Sequence, residues 1–257
     1  MNLAFETLKC TLNNDILTIQ LNRGKVNAIN TLMVCELISA IEIAQSEAGV
    51  RAVILTGREG CFTAGLDLKD LVMLDEEGVE YFWRSFHKLI LNLVRLDKPV
   101  LSAISGHSPA GGCVLAICSD FRIMLDGDFT IGLNELAVGI PVPALIYELM
   151  SVWVGRRHAY QNLMTAKLLT PTEALEQGLV DELATVQDFD SKARGRIEKV
   201  LKFPAQQWSM TKRNLRFNLD AVLNMSFEDV FNQALQNWWR PETRATLLAV
   251  VSRLSGR

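Results

Sequence analysis

One carboxylate, Glu135, stands in the run Thr130-Ile131-Gly132-Leu133-Asn134-Glu135-Leu136-Ala137-Val138-Gly139-Ile140, which carries no other charge. An ionised carboxylate among apolar neighbours is costly, so its pKa rises toward the range where a group can take and return a proton near neutrality. The competing reading is a surface glutamate on a loop. Two glycine-containing turns precede it. In Cys61-Phe62-Thr63-Ala64-Gly65-Leu66-Asp67-Leu68, Gly65 lets the backbone turn tightly, so that the next N–H, that of Leu66, can point into a pocket. In Pro109-Ala110-Gly111-Gly112-Cys113, small residues open a helix, where unpaired N–H groups and the helix dipole favour a developing negative charge. Two such donors make an oxyanion hole. Taken singly, small residues at a strand-to-helix turn serve packing equally well.

The elements that would position these turns are legible in the hydrophobic pattern. Residues 6 to 12 and 16 to 21 are β-rich runs flanking Asn13-Asn14-Asp15, which is hairpin chemistry. An amphipathic helix follows over 32–46, and Ala52 to Gly57 is a buried strand. Apolar residues recur at helical spacing over 76–96, and a second buried strand over 99–105 feeds the small-residue helix at 110–118. This alternation predicts an α/β fold with right-handed βαβ units and parallel strands, in which ligands bind at the carboxyl ends of the strands. Both glycine turns follow such strands and can face one crevice. After residue 142 the chain is almost wholly helical. Thr170-Pro171-Thr172-Glu173 reads as a capping box with proline at the first helical position, and Gly178 closes that helix. One short strand is expected over 179–183, then three or four helices from Lys192 broken near Pro204, Ser226 and Pro241. Trp238, Trp239, Leu247, Leu248, Val250 and Val251 are expected to cover the core or a neighbouring subunit.

Composition excludes several functional classes. With 257 residues, 49% of them hydrophobic, the chain can bury a full core. Its 26 basic and 29 acidic residues give no electrostatic reason to expect nucleic acid or a membrane surface as partner. The five cysteines form no C-x-x-C pair and the three histidines lie far apart, so neither disulfides nor a metal site is expected. The N-terminus lacks the marks of a signal or presequence, and no apolar run approaches membrane-spanning length. The expected location is the cytoplasm; a mitochondrial matrix enzyme whose presequence has been removed would read the same.

The order of the motifs carries more than each motif alone. Leu-Asn-Arg-Gly-Lys-Val-Asn-Ala-Ile at 21–29, then A-G-L-D-L, P-A-G-G-C and I-G-L-N-E, resembles the crotonase (enoyl-CoA hydratase/isomerase) superfamily through the Thr170 to Asp181 segment. The resemblance implies a crotonase-like spiral ββα core, here 1–190, and a C-terminal helical trimerisation region, 191–257, giving a homotrimer or a dimer of trimers. It implies an acyl-CoA thioester as substrate, with coenzyme A part of that substrate and no separate cofactor. The thioester carbonyl would be gripped by the N–H groups of Leu66 and Gly111. Substrate-binding positions would include Ala64, Gly65, Leu66, Asp67, Leu68, Gly111 and Asn134, with Arg23 and Lys25, and beside them Lys69, near the segments that meet the CoA phosphates and adenine. Phe82 and Trp83 lie on a helix that lines the acyl pocket in relatives; core packing is the alternative for both.

Two positions separate the reactions of the family. Hydratases carry two glutamates, one just after the Gly-Gly-Cys turn and one in the later loop, which together hold and activate a water. Here the first position is Val114 and the second is Glu135. A single carboxylate can move a proton from C2 to C4 of a 3-enoyl thioester, and the pattern resembles the Δ3,Δ2-enoyl-CoA isomerases, with Glu135 as acid and base. The bulky segment Ile140-Pro141-Val142-Pro143-Ala144-Leu145-Ile146 suits the wall of a dry acyl pocket. Alternatives are hydration, another enolate reaction on an acyl-CoA, or a non-catalytic acyl-CoA-binding relative.

Overall fold

The structure, a computed structural model, describes residues 4–217, 219 and 227–255. Strands β1 (Leu8–Asn13) and β2 (Ile16–Leu21) pair antiparallel around Asn14 and Asp15. Both turn residues have positive φ, 47° and 63°, as a two-residue hairpin with right-handed strand twist requires. From β2 the sheet continues with parallel β3 (Ala52–Thr56), β5 (Val100–Ile104), β7 (Phe121–Leu125) and β9 (Glu182–Ala184), in the order β1-β2-β3-β5-β7-β9. Period-two alternation assigns the faces. Ile54, Leu101, Ala103 and Ile123 meet Phe189, Ala193 and Ile197 of helix α7 (Phe189–Val200) on one side. Val53, Leu55, Val100 and Ile104 join the larger core with α1 (Thr31–Ser46), α3 (Glu76–Arg95) and α4 (Gly111–Cys118) on the other.

A second sheet, parallel and three-stranded, is built from β4 (Gly60–Cys61), β6 (Gly106–Pro109) and β8 (Ile131–Gly132), in that order. Its strands are too short to show a hydrophobic period. The chain enters it directly from β5 through Gly106 (φ 151°), where a Cβ would lie 2.0 Å from the Gly60 carbonyl carbon, so only glycine allows the two strands to approach. After β4 comes the short α2 (Leu68–Leu71), capped by the Asp67 side chain.

The later chain is helical as expected. Helix α5 (Ala144–Met164) is kinked at Gly155, and α6 (Pro171–Glu176) carries the complete Thr170/Glu173 capping box. The last strand starts at Glu182, later than the expected 179. Leu179 and Val180 are buried, but their N–H groups bond the Ala174 carbonyl at the end of α6. They close that helix and do not join the ladder. Helices α8 (Ala205–Leu215), α9 (Phe227–Trp238) and α10 (Pro241–Ser255) follow. Pro204 and Pro241 break them as expected, and the break expected near Ser226 lies outside the described residues. The 190/191 boundary falls inside α7, whose buried face packs on the main sheet.

Candidate active site

The three parallel strands of the small sheet each deliver one candidate group from their carboxyl ends. The turn after β4 carries Leu66, the turn after β6 carries Gly111, and Glu135 follows β8 as the first residue of a 3-10 turn, Glu135–Val138. Backbone pairing orients the first of these. Ile29 N–H donates to the Gly65 carbonyl (2.8 Å) and the Asp67 N–H donates to the Ile29 carbonyl (2.8 Å). In such a parallel bridge the N–H of the intervening Leu66 points to the opposite side. Gly65, at φ 86°, donates its own N–H to Thr63 Oγ1 (3.1 Å).

Gly111 opens α4 directly after Ala110, which adopts φ 47°. Ala110 is held there by its N–H bond to the Gly132 carbonyl (2.8 Å). Among the described residues the N–H groups of Leu66 and Gly111 have no hydrogen-bond partner. They are neighbours: a Cβ on Gly111 would lie 3.5 Å from Leu66 N. Two preorganised donors in one space hold an oxygen that gains negative charge during reaction.

Glu135 lines the same cavity as Leu66 and Gly111. Its Oε2 is sealed from solvent without a hydrogen-bond partner. Burial pushes the carboxyl up to about 7, opposed by its own backbone N–H. The surface-loop alternative for Glu135 is therefore not the arrangement found. The fully buried Cys113 thiol is driven well above its usual value, by burial first and by the Glu135 charge second. Gly139, in the left-handed region at φ 80°, ends the 3-10 turn and returns the chain to Ile140.

The cavity is about 170 Å³ and largely apolar. One wall is Ile140, Pro141, Pro143, Ala144, Leu145 and Ile146, the segment expected to line it. Val114, one turn beyond Gly111, forms part of the floor. Trp83, Phe86, His87 and Ile90 of α3 and Phe231, Asn237, Trp238 and Thr243 near the C-terminus complete it. Sequence reasoning missed most of this far side. Trp83 faces the cavity, whereas Phe82 is fully buried core. Trp238 both covers the core and lines the cavity. Burial first, and the Arg95 charge second, hold His87 down to about 4, so its ring is neutral at pH 7. Glu135 is the one carboxylate on this wall among the described residues.

Other residues assigned to substrate binding from the sequence do not line this cavity. Arg23 is committed to Asp67 (2.6 Å) and Asp70 (2.8 Å) and to the Ala28 carbonyl, so it braces the Gly65–Leu66 turn. Lys25 and Ala64 are exposed, and Lys69 donates to the Leu254 carbonyl of α10 (3.1 Å). Leu68 is core. Asn134 abuts Glu135 in sequence, its Oδ1 buried without a partner. His107 is exposed and accepts from Thr130 N–H at 3.2 Å, away from the cavity. No group of three or more His, Cys, Asp or Glu residues among those described is placed to hold a metal ion. No helix among them is long and apolar enough to cross a membrane.

A site of two strand-end N–H donors and one buried carboxylate, on parallel strands of a spiral α/β core, defines a class. The sequence model of the enoyl-CoA hydratase/isomerase family matches residues 11–237, and the chain belongs to that family. It is 34% identical over 203 residues to mouse mitochondrial enoyl-CoA delta isomerase 1, covering 78% of this chain and 70% of the relative. It is 33% identical over 221 residues to a putative enoyl-CoA hydratase of Thermus thermophilus, covering 84% and 85%. The crystal structure of human mitochondrial delta3-delta2-enoyl-CoA isomerase superposes with a TM-score of 0.94 at 26% identity, covering 98% of this chain and 99% of that one. The crotonase fold is thereby shown, and relatives of both activities are similar to this chain.

Proposed function

We propose that the protein is a Δ3,Δ2-enoyl-CoA isomerase. The observation that carries this reading is Glu135, the one carboxylate lining the cavity among the described residues, facing the same space as the free N–H groups of Leu66 and Gly111, with Val114 where hydration would need a second carboxylate. The thioester carbonyl accepts from the two N–H groups, which form the oxyanion hole. Ionised Glu135 removes a proton from C2, and the electron pair moves into the carbonyl to give an enolate held by the two donors. The protonated Glu135 then returns that proton to C4 as the double bond shifts to C2–C3. No atoms are gained or lost, so no cofactor takes part and coenzyme A serves as the handle of the substrate.

A base that works near neutrality needs a pKa close to the working pH, and burial raises Glu135 to about 7. Hydration in this family uses a second carboxylate to activate the water, and the residue at that position here is the apolar Val114. Glu135→Gln is the direct test: the folded variant should bind acyl-CoA and lose at least ~100-fold in isomerase turnover. Near-normal turnover would move the base elsewhere.

The reading extends to assembly and place. The chain functions as a homotrimer or a dimer of trimers through its C-terminal helices. It works in the cytoplasm, or in the mitochondrial matrix like the mammalian relatives if a presequence is removed.

A further inference from the structure

The cavity lining is of two unlike kinds. Leu66, Gly111 and Glu135 make up one part of the lining; another part is aromatic, with Trp83 and Phe86 on α3 and Trp238 at the end of α9. Trp83 is fixed by three edge-on ring contacts. Its centroid lies 5.4 Å from Phe82 at 76°, 6.3 Å from Phe86 at 77° and 6.1 Å from Trp238 at 76°. Phe82 is completely buried and Trp238 is 2% exposed. Trp83 is half-buried, and it cannot swing aside without giving up several favourable ring contacts at once.

Resting on the proposed acyl-CoA substrate, we infer that Trp83, backed by Trp238, ends the acyl pocket and makes the enzyme selective for short acyl chains. The volume sets the scale. A cavity of about 170 Å³ is close to the roughly 150 Å³ that accepts one benzene molecule in an apolar protein interior. The reacting carbons must share that space with the tail, so acyl groups of about six to eight carbons fill it. A longer chain has to displace the indole or fold back on itself.

The test is calorimetric titration of the full chain with saturated butanoyl-, hexanoyl-, octanoyl- and dodecanoyl-CoA, which reads the pocket without requiring turnover. Where a pocket continues, each added methylene tightens binding roughly fourfold. For the wild type the affinity should rise to octanoyl-CoA and gain nothing further at dodecanoyl-CoA. Trp83→Ala should bind dodecanoyl-CoA at least ~10-fold more tightly than octanoyl-CoA, since removing the indole opens room for several methylenes. Trp83→Leu, which keeps a large apolar side chain in place, should show the same change to a smaller degree. A wild-type affinity that keeps climbing through dodecanoyl-CoA overturns the inference and leaves the proposed substrate class intact. A chain-length profile unchanged in folded Trp83→Ala or Trp83→Leu also overturns it. Failure to bind acyl-CoA of any length would overturn both.

Discussion

A methyl group placed on Gly111 would sit 3.1 Å from Leu66 Cδ2, 3.3 Å from Ile29 Cδ1 and 3.5 Å from Leu66 N. The missing side chain is thus part of the site, because a Cβ at residue 111 would press on both the Leu66 side chain and the Leu66 backbone nitrogen. Gly111→Ala should fold, since the two closest atoms are the ends of flexible side chains. Its turnover should fall by at least ~100-fold, the scale for losing an oxyanion donor. Steady-state kinetics on the variant checks this, and a loss smaller than tenfold would contradict the role given to the two N–H groups.

The raised pKa of Glu135 predicts two pH dependences. As a base it must be ionised, so kcat/KM should rise with pH and level off above an apparent pKa of about 7. The folded state also holds the proton more tightly than the unfolded chain, whose carboxyl titrates near 4.5. The stability cost of ionising Glu135 is therefore absent below about 4.5, grows between about 4.5 and 7, and is complete above 7. Glu135→Gln removes that cost. Thermal melts should show the variant more stable than wild type at pH 8, by on the order of 1–3 kcal/mol, and indistinguishable at pH 4. Equal stability at both pH values would mean that the carboxyl is not desolvated in solution.

Away from the site, Asp120 holds two buried cations. Its carboxylate accepts from Lys212 Nζ (2.8 Å), Arg216 Nη2 (2.8 Å) and the Val100 N–H (2.8 Å). Burial lowers the Lys212 amine to about 8 against the pull of Asp120. Asp120→Ala leaves both cations buried without their carboxylate and should cost about 3–5 kcal/mol, measured by denaturant unfolding. A loss below 1 kcal/mol would show the pair to be water-exposed.

The elements bearing the site were legible where local chemistry decided them. The apolar run Ala52 to Gly57 and the Thr170–Glu173 capping box could each be read locally, and the structure contains both the strand and the box. Glu135, Leu66 and Gly111, which line one cavity, could be singled out because a charge in an apolar run and glycines at strand ends are visible without partners. Arg23 shows the opposite case. Its ion pairs with Asp67 and Asp70, distant in sequence, are visible only in the fold, and they give it a bracing role that no local pattern shows. The far wall of the cavity was hidden for the same reason: α3 and α9 look like ordinary amphipathic helices, and only tertiary packing turns Trp83 and Trp238 toward the same space.

The assembly can be tested directly. Leu215 is 80% exposed, Phe217 73% and Met210 49% on and just after α8, more large apolar surface than a solvated helix carries without a partner. Light scattering at micromolar concentration should report three or six copies. A monomer would contradict the proposed trimer.

The isomerase reading stands or falls on water. Purified wild-type protein should be given a 3-enoyl-CoA and a 2-enoyl-CoA in parallel, with isomerisation and hydration followed in the same buffer. With Val114 in place of a second carboxylate, ready isomerisation of the 3-enoyl thioester and little or no hydration of the 2-enoyl thioester are expected. Val114→Glu should gain only weak hydration, because a carboxylate in a pocket shaped for valine has no prepared partners and stays protonated. Efficient hydration by the wild type would mean that another group orients the water, and would contradict the assignment of Glu135 as the sole acid and base.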